Sequence, residues 1–176
     1  MAAVPFMLLF RFLHIVAGVL WVGSAFMFIL FVGPTAGEVG PAAGPMLHGI
    51  VEKRNFAKII TALAITTVAA GWIMWLYNGL RVFASFGDFI SSRFGLVLTI
   101  GGLLGTAALI GGAVGIGPKA ERLVKLGGEI AAGGGVPSPE QGAEMGRLQA
   151  ALKRNGQRDL ILLILAVIAM ATARYW

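Results

Sequence analysis

The chain has 176 residues, of which 57% are hydrophobic and only 12% are charged, and its mean hydropathy is +0.84. A soluble domain carries about 25% charged residues, so this composition excludes a water-soluble globule and asks instead for spans of about 20 apolar residues. The absence of cysteine excludes disulfides, thiolate metal sites, iron–sulfur ligation and covalently attached c-type heme. The net charge of +6 is not read as a nucleic-acid signal, because the basic residues cluster between apolar stretches, where they act as topology determinants.

In chain order, the sequence predicts an all-α, integral membrane four-helix bundle forming a single domain over residues 1–176. The first span covers residues 5–33 and is too long for a cleavable signal peptide. Its only cation, Arg11, stands near the start. Gly33-Pro34 and the prolines at 41 and 45 predict a non-helical connection after it. The second span, residues 56–77, ends in Trp72, Trp75 and Tyr77, as expected of rings at a lipid–water boundary. The third span covers 89–117 and the fourth 160–176. In the long connection between them, Ser138-Pro139-Glu140-Gln141 has a hydroxyl cap, a proline at the first helical position and a glutamine three residues on. That pattern starts a helix, predicted as an amphipathic lead-in over 139–155.

Of the 14 Lys and Arg residues, all but Arg11, Arg81, Arg93 and Arg174 fall in the first and third connections. The positive-inside rule then places both termini outside. The words Gly33-Pro34 and Lys53-Arg54-Asn55 return as Gly117-Pro118 and Lys153-Arg154-Asn155. They suggest two tandem helix pairs related by an axis along the membrane normal.

His14 is the residue with most chemical potential. An ionisable side chain in hydrocarbon is costly and usually faces a partner, cavity or cofactor. Arg11, His14, Gly18 and Trp21 share one helical stripe, and Gly18 removes bulk beside the imidazole, either for a flat macrocycle or for close helix packing. Arginine forks pair bidentately with carboxylates such as heme propionates, so Arg11 and Arg93 are candidate clamps above a porphyrin held at His14. The alternative is that they reach lipid headgroups. His48 sits in the first connection, too far in depth from His14 to share one ion with it. The glycines of the third span, including Gly101, Gly105, Gly111 and Gly115, have GxxxG spacing suited to helix packing.

The segment Arg11-Phe12-Leu13-His14-Ile15-Val16-Ala17-Gly18-Val19-Leu20-Trp21 resembles the first helix of related bacterial membrane families: the HemJ-type protoporphyrinogen oxidases, the CopD-type copper-resistance domains and the membrane domains of bacterial urate oxidases. Val51-Glu52-Lys53-Arg54-Asn55-Phe56 resembles the charged entry to the second helix of the HemJ type. The resemblance implies a four-helix protein of the bacterial cytoplasmic membrane holding a b-type heme, with His14 as metal ligand. Where the HemJ type has a lysine early in the third helix, this chain has Arg93, which stays protonated and is a poor ligand.

The leading expectation is therefore a heme b protein in membrane electron transfer. Membrane lipid would surround it, and a quinone or porphyrin would be its small-molecule partner. The alternative is a non-catalytic accessory or scaffold subunit, docked to other membrane subunits or to its own copies. Copper handling is a third option.

Overall fold

A computed structural model describes residues 3–176. Every regular element among them is helical, as lipid requires of a chain that must satisfy its own backbone. The helices are α1 (Ala3–Met27), α2 (Gly33–Val39), α3 (Gly44–His48), α4 (Phe56–Arg81), α5 (Phe86–Ser91), α6 (Arg93–Ile110), α7 (Gly117–Ala132) and α8 (Pro139–Thr172). Four continuous helical rods are long and apolar enough to cross a membrane: Val4–Val39, Phe56–Arg81, Arg93–Ala132 and Pro139–Tyr175.

The first and third rods run through the Gly-Pro words that the sequence reading took as their ends. A proline inside a helix has no N–H to give, and its ring pushes against the carbonyl four residues back. Here the preceding turn widens to absorb both problems. Phe28–Val32 is π-helical and the Gly33 N–H donates to the Phe28 carbonyl, five residues back. Gly111–Ile116 is π-helical in the same way, with the Gly117 N–H donating to the Gly112 carbonyl. The helix then resumes with Pro34 or Pro118 in its first turn, where a missing N–H costs nothing.

Two further boundaries differ from the sequence reading. The connection after the third span is largely α7, with Leu126 and Ile130 buried. The lead-in helix and the fourth span are one unbroken α8. Its start is as expected: Ser138 Oγ accepts from Gln141 N at 3.2 Å and Gln141 Oε1 accepts from Ser138 N at 2.9 Å. The third span begins at Arg93 after a break, because Ser92 is extended and caps α6 by accepting from Gly95 N at 3.0 Å.

Packing follows a ring order. α1 lies along α4, α4 along α6, and α6 along α8, while α8 closes back on α1. Each long helix places one residue in a central layer of Trp21, Ala64, Ala108 and Leu163. Three of these four residues are small or bear a single branch, so the indole fills the middle. Between α4 and α6, two indole N–H groups form rungs: Trp72 Nε1 donates to Thr106 Oγ1 at 3.0 Å and Trp75 Nε1 to Thr99 Oγ1 at 2.8 Å. The outward faces of α1 remain apolar, with Val4 67% and Val19 66% exposed.

Candidate functional site

The His14 imidazole sits at the seam between α1 and α4. Its Nδ1 lies 2.7 Å from the Thr67 carbonyl oxygen. A carbonyl can only accept, so Nδ1 is the donor, and in the neutral ring Nε2 therefore keeps its lone pair. Thr67 can lend that carbonyl partly because its own hydroxyl bonds back to the Leu63 carbonyl at 2.8 Å, a habit of threonine in helices that loosens the local backbone bonding.

Glycine makes room for the ring on the α4 side. A Cβ at Gly71 would stand 2.9 Å from His14 Cε1 and 3.0 Å from Nδ1. Gly18 serves the reverse contact, since a Cβ there would meet Thr67 Cγ2 at 3.3 Å. The space beside Gly18 is thus filled by Thr67, and the two helices interlock through His14 into Gly71 and Thr67 into Gly18. His14 Nε2 makes no hydrogen bond among the described residues, and no fully buried side-chain nitrogen or oxygen there lacks a partner. The ring is half-buried, so Nε2 is open to whatever surrounds the bundle.

Arg11 and Arg93 are both exposed. They stand on α1 and α6, the helices on either side of α4, so the fold does not bring them together over one face. His48 ends α3, beyond the first rod, and pairs with Glu52 one turn on, Nδ1 to Oε2 at 3.4 Å. No group of three or more His, Asp or Glu side chains converges among the described residues. An open apolar groove of about 410 Å³ runs along α1 past Val19, Gly23 and Met27 to Phe56, and a smaller one of about 210 Å³ lies by Glu52, Lys58 and Glu121. Neither includes His14.

Sequence reasoning overlooked Asp159. It follows the exposed Arg158 directly and stands one residue before the predicted fourth span, yet it is only 9% exposed. Its carboxylate presses against Gly111, and a Cβ at Gly112 would stand 3.5 Å from Oδ2. One turn earlier on the same face, Asn155 Nδ2 donates to the Gly115 carbonyl at 3.0 Å, which also accepts from Lys119 Nζ at 3.0 Å. The signal in the sequence was the glycine run at 111, 112 and 115, which frees space only if something fills it.

These features define a four-helix protein built to cross a membrane, with one polar side chain set into each of two helix seams. Compared with family models, curated proteins and solved structures, the chain matches none.

Proposed function

We propose that the protein binds a b-type heme through Nε2 of His14 and takes part in membrane electron transfer. The observation that carries this reading is the fixed imidazole. Nδ1–H is anchored on a backbone carbonyl, the arrangement that orients metal-ligating histidines and leaves Nε2 free to bind. A lone pair held in hydrocarbon with no donor is costly, and a Lewis acid satisfies it. Because Thr67 occupies the space beside Gly18, the macrocycle would lie on the outer surface of the α1–α4 seam, where a quinone or porphyrin in the membrane reaches it. Arg11, one turn from His14, is the propionate clamp that fits this placement, whereas Arg93 lies across α4. Bound heme supplies one-electron chemistry, and the chain supplies the ligand, its orientation and the surrounding lipid-like dielectric.

The test is the absorption spectrum of the detergent-purified protein. The wild type should show a Soret band, lost in His14→Ala while the protein still inserts and folds, weakened in Arg11→Ala and intact in His48→Ala. A colourless wild type from heme-replete cells would reject the reading. It would favour the second one, an accessory subunit of a larger membrane complex or a homo-oligomer. That alternative is supported by the broad apolar exterior of α1 and its groove. Copper handling has less support, since His14 stands near the start of the first rod and His48 lies beyond its other end.

We infer that both termini face outward across a bacterial cytoplasmic membrane, from the cations gathered at Lys53 to Lys58 and at Lys119 to Arg158. Single cysteines at positions 85 and 131 should label from outside and inside respectively, and the reverse pattern would invert the topology. The two helix pairs are read as diverged repeats, supported by the matching widened turns before Pro34 and Pro118.

A further inference from the structure

The length of α8 fixes the depth of Asp159. From Leu160 to the helix end at Thr172 the uncharged stretch reaches only about 20 Å at ~1.5 Å per residue, whereas the hydrocarbon core is about 30 Å thick. Crossing therefore takes in about seven more residues on the inner side, so that Asp159 lies inside the span while the exposed Lys153, Arg154 and Arg158 reach back to the inner surface on their long stems. It makes no hydrogen bond or ion pair among the described residues, and its oxygens are not sealed off. An intramembrane acid of this kind requires a ligand or partner.

The surrounding groups narrow what that ligand is. Toward Asp159, the widened turn Gly111–Ile116 offers only glycine, alanine, valine and isoleucine. The segment Phe28–Val32, which also packs on α8, contains no titratable residue. α1 carries Arg11 and His14, both on its outward part, and α6 carries Arg93 at its far end. On α7, Arg122 is tied to Glu144 and Glu129, and Glu121 and Lys125 lie further from the turn. Arg158, Lys153 and Arg154 on α8 itself are exposed. Lys119 is the one cation from another element that reaches this turn, and it does so at the Gly115 carbonyl beside Asn155. A metal ion would need a cavity lined by oxygens, but the carboxylate is pressed against glycine backbone and neither groove described above includes it. A proton needs no volume.

We propose that Asp159 is a proton-binding site within the membrane, reached from the inner surface past the polar side chain of Asn155, one turn before it on α8. Uptake forms one O–H bond on the carboxylate from a proton of the inner aqueous phase and removes its negative charge. Release reverses both, with no redox partner involved. The site is independent of His14 and of heme.

The chain has only two aspartates, Asp88 and Asp159, so the full protein in liposomes, labelled with carbon-13 at aspartate carboxyls, should give two side-chain resonances. Asp88→Asn assigns them. The resonance of Asp159 should move through one complete, reversible single-proton titration between about pH 4 and 9, unchanged by replacing Na⁺ with K⁺. Asn155→Leu, which removes the polar step before Asp159, should slow its proton exchange at least tenfold. A resonance that stays fixed over that range, one that follows Na⁺ concentration at constant pH, or exchange unaltered in Asn155→Leu would overturn the proposal. The labelled wild type alone decides the first two outcomes, so they do not depend on a variant folding.

Discussion

The α1–α4 pair and the α6–α8 pair solve the same packing problem with different polar guests. In the first, an imidazole from α1 enters a gap at Gly71; in the second, a carboxylate from α8 enters a gap at Gly111 and Gly112. The imidazole is secured by a backbone carbonyl at 2.7 Å, while the carboxylate has no hydrogen-bond partner among the described residues and relies on Asn155 to hold the neighbouring turn. The word Lys-Arg-Asn occurs once just before α4 and once within α8, and takes a different structure in each place. Asn55 adopts a left-handed conformation, φ 52°, which separates the widened turn Gly49–Lys53 from α4. Asn155, in the middle of α8, bridges to α6's continuation instead. Similar local sequence thus serves as a chain break in one half and as an interhelical tie in the other.

The glycine gaps offer the strongest way to break the comparison. Gly111→Ala drives a methyl into the Asp159 carboxylate and Gly71→Ala drives one into the His14 ring, and each should destabilise the protein by about 1–3 kcal/mol. Reversible unfolding in mixed micelles should show His14→Ala relieving Gly71→Ala but not Gly111→Ala, and Asp159→Ala doing the converse. Additive effects within either pair would mean that the guest does not fill the gap.

A smaller effect belongs only to the second half. α7 and α8 are clipped together outside the membrane by Arg122, whose Nε donates to Glu144 Oε1 at 2.7 Å and whose Nη2 donates to Oε2 at 3.0 Å. The hydrogen bond from Arg122 holds the Glu144 carboxyl below its ordinary range. Stability from a depressed carboxylate is present above the unfolded pKa and lost as pH falls through the folded one. Protection of the Leu126 and Ile130 amides, taken relative to the intrinsic exchange rate at each pH, should therefore fall only below the ordinary glutamate range, and Glu144→Gln should remove that dependence. The pair is only half-buried, so the change should be slight. A hairpin whose protection is insensitive to acid would show that Leu126 and Ile130 hold it without the clip.

Four spans and the capped start at Ser138 were legible because length, hydropathy and capping are local properties. The Gly-Pro words misled for a physical reason. Proline forbids one hydrogen bond, and a reading that knows only the four-residue ladder must end the helix there, whereas a five-residue bond lets it continue. The interlocked partners, Thr67 and Gly71 for His14 and Gly111 for Asp159, were not legible, since they depend on which helices become neighbours. His14 itself was visible as a lone histidine in an apolar run. Asp159 was not, because it borders three cations in sequence and looks like part of the solvated connection until the short uncharged remainder of α8 is set against the thickness of a bilayer.

The widened turn Gly111–Ile116 also acts as a phase shifter. On an uninterrupted α-helix, Ala108 and Leu126 would point the same way, since 18 residues at roughly 100° each make whole turns. A π segment advances by less per residue and so inserts about one surplus position, which swings everything beyond it by roughly 100°. Ala108 faces the central layer with Trp21, while Leu126 turns to the buried side of the α7–α8 hairpin. Heading is thereby set by a count of residues. Removing one residue between 111 and 116 would leave α6 seated and α7 just as long, but would turn the hairpin's apolar stripe out toward water.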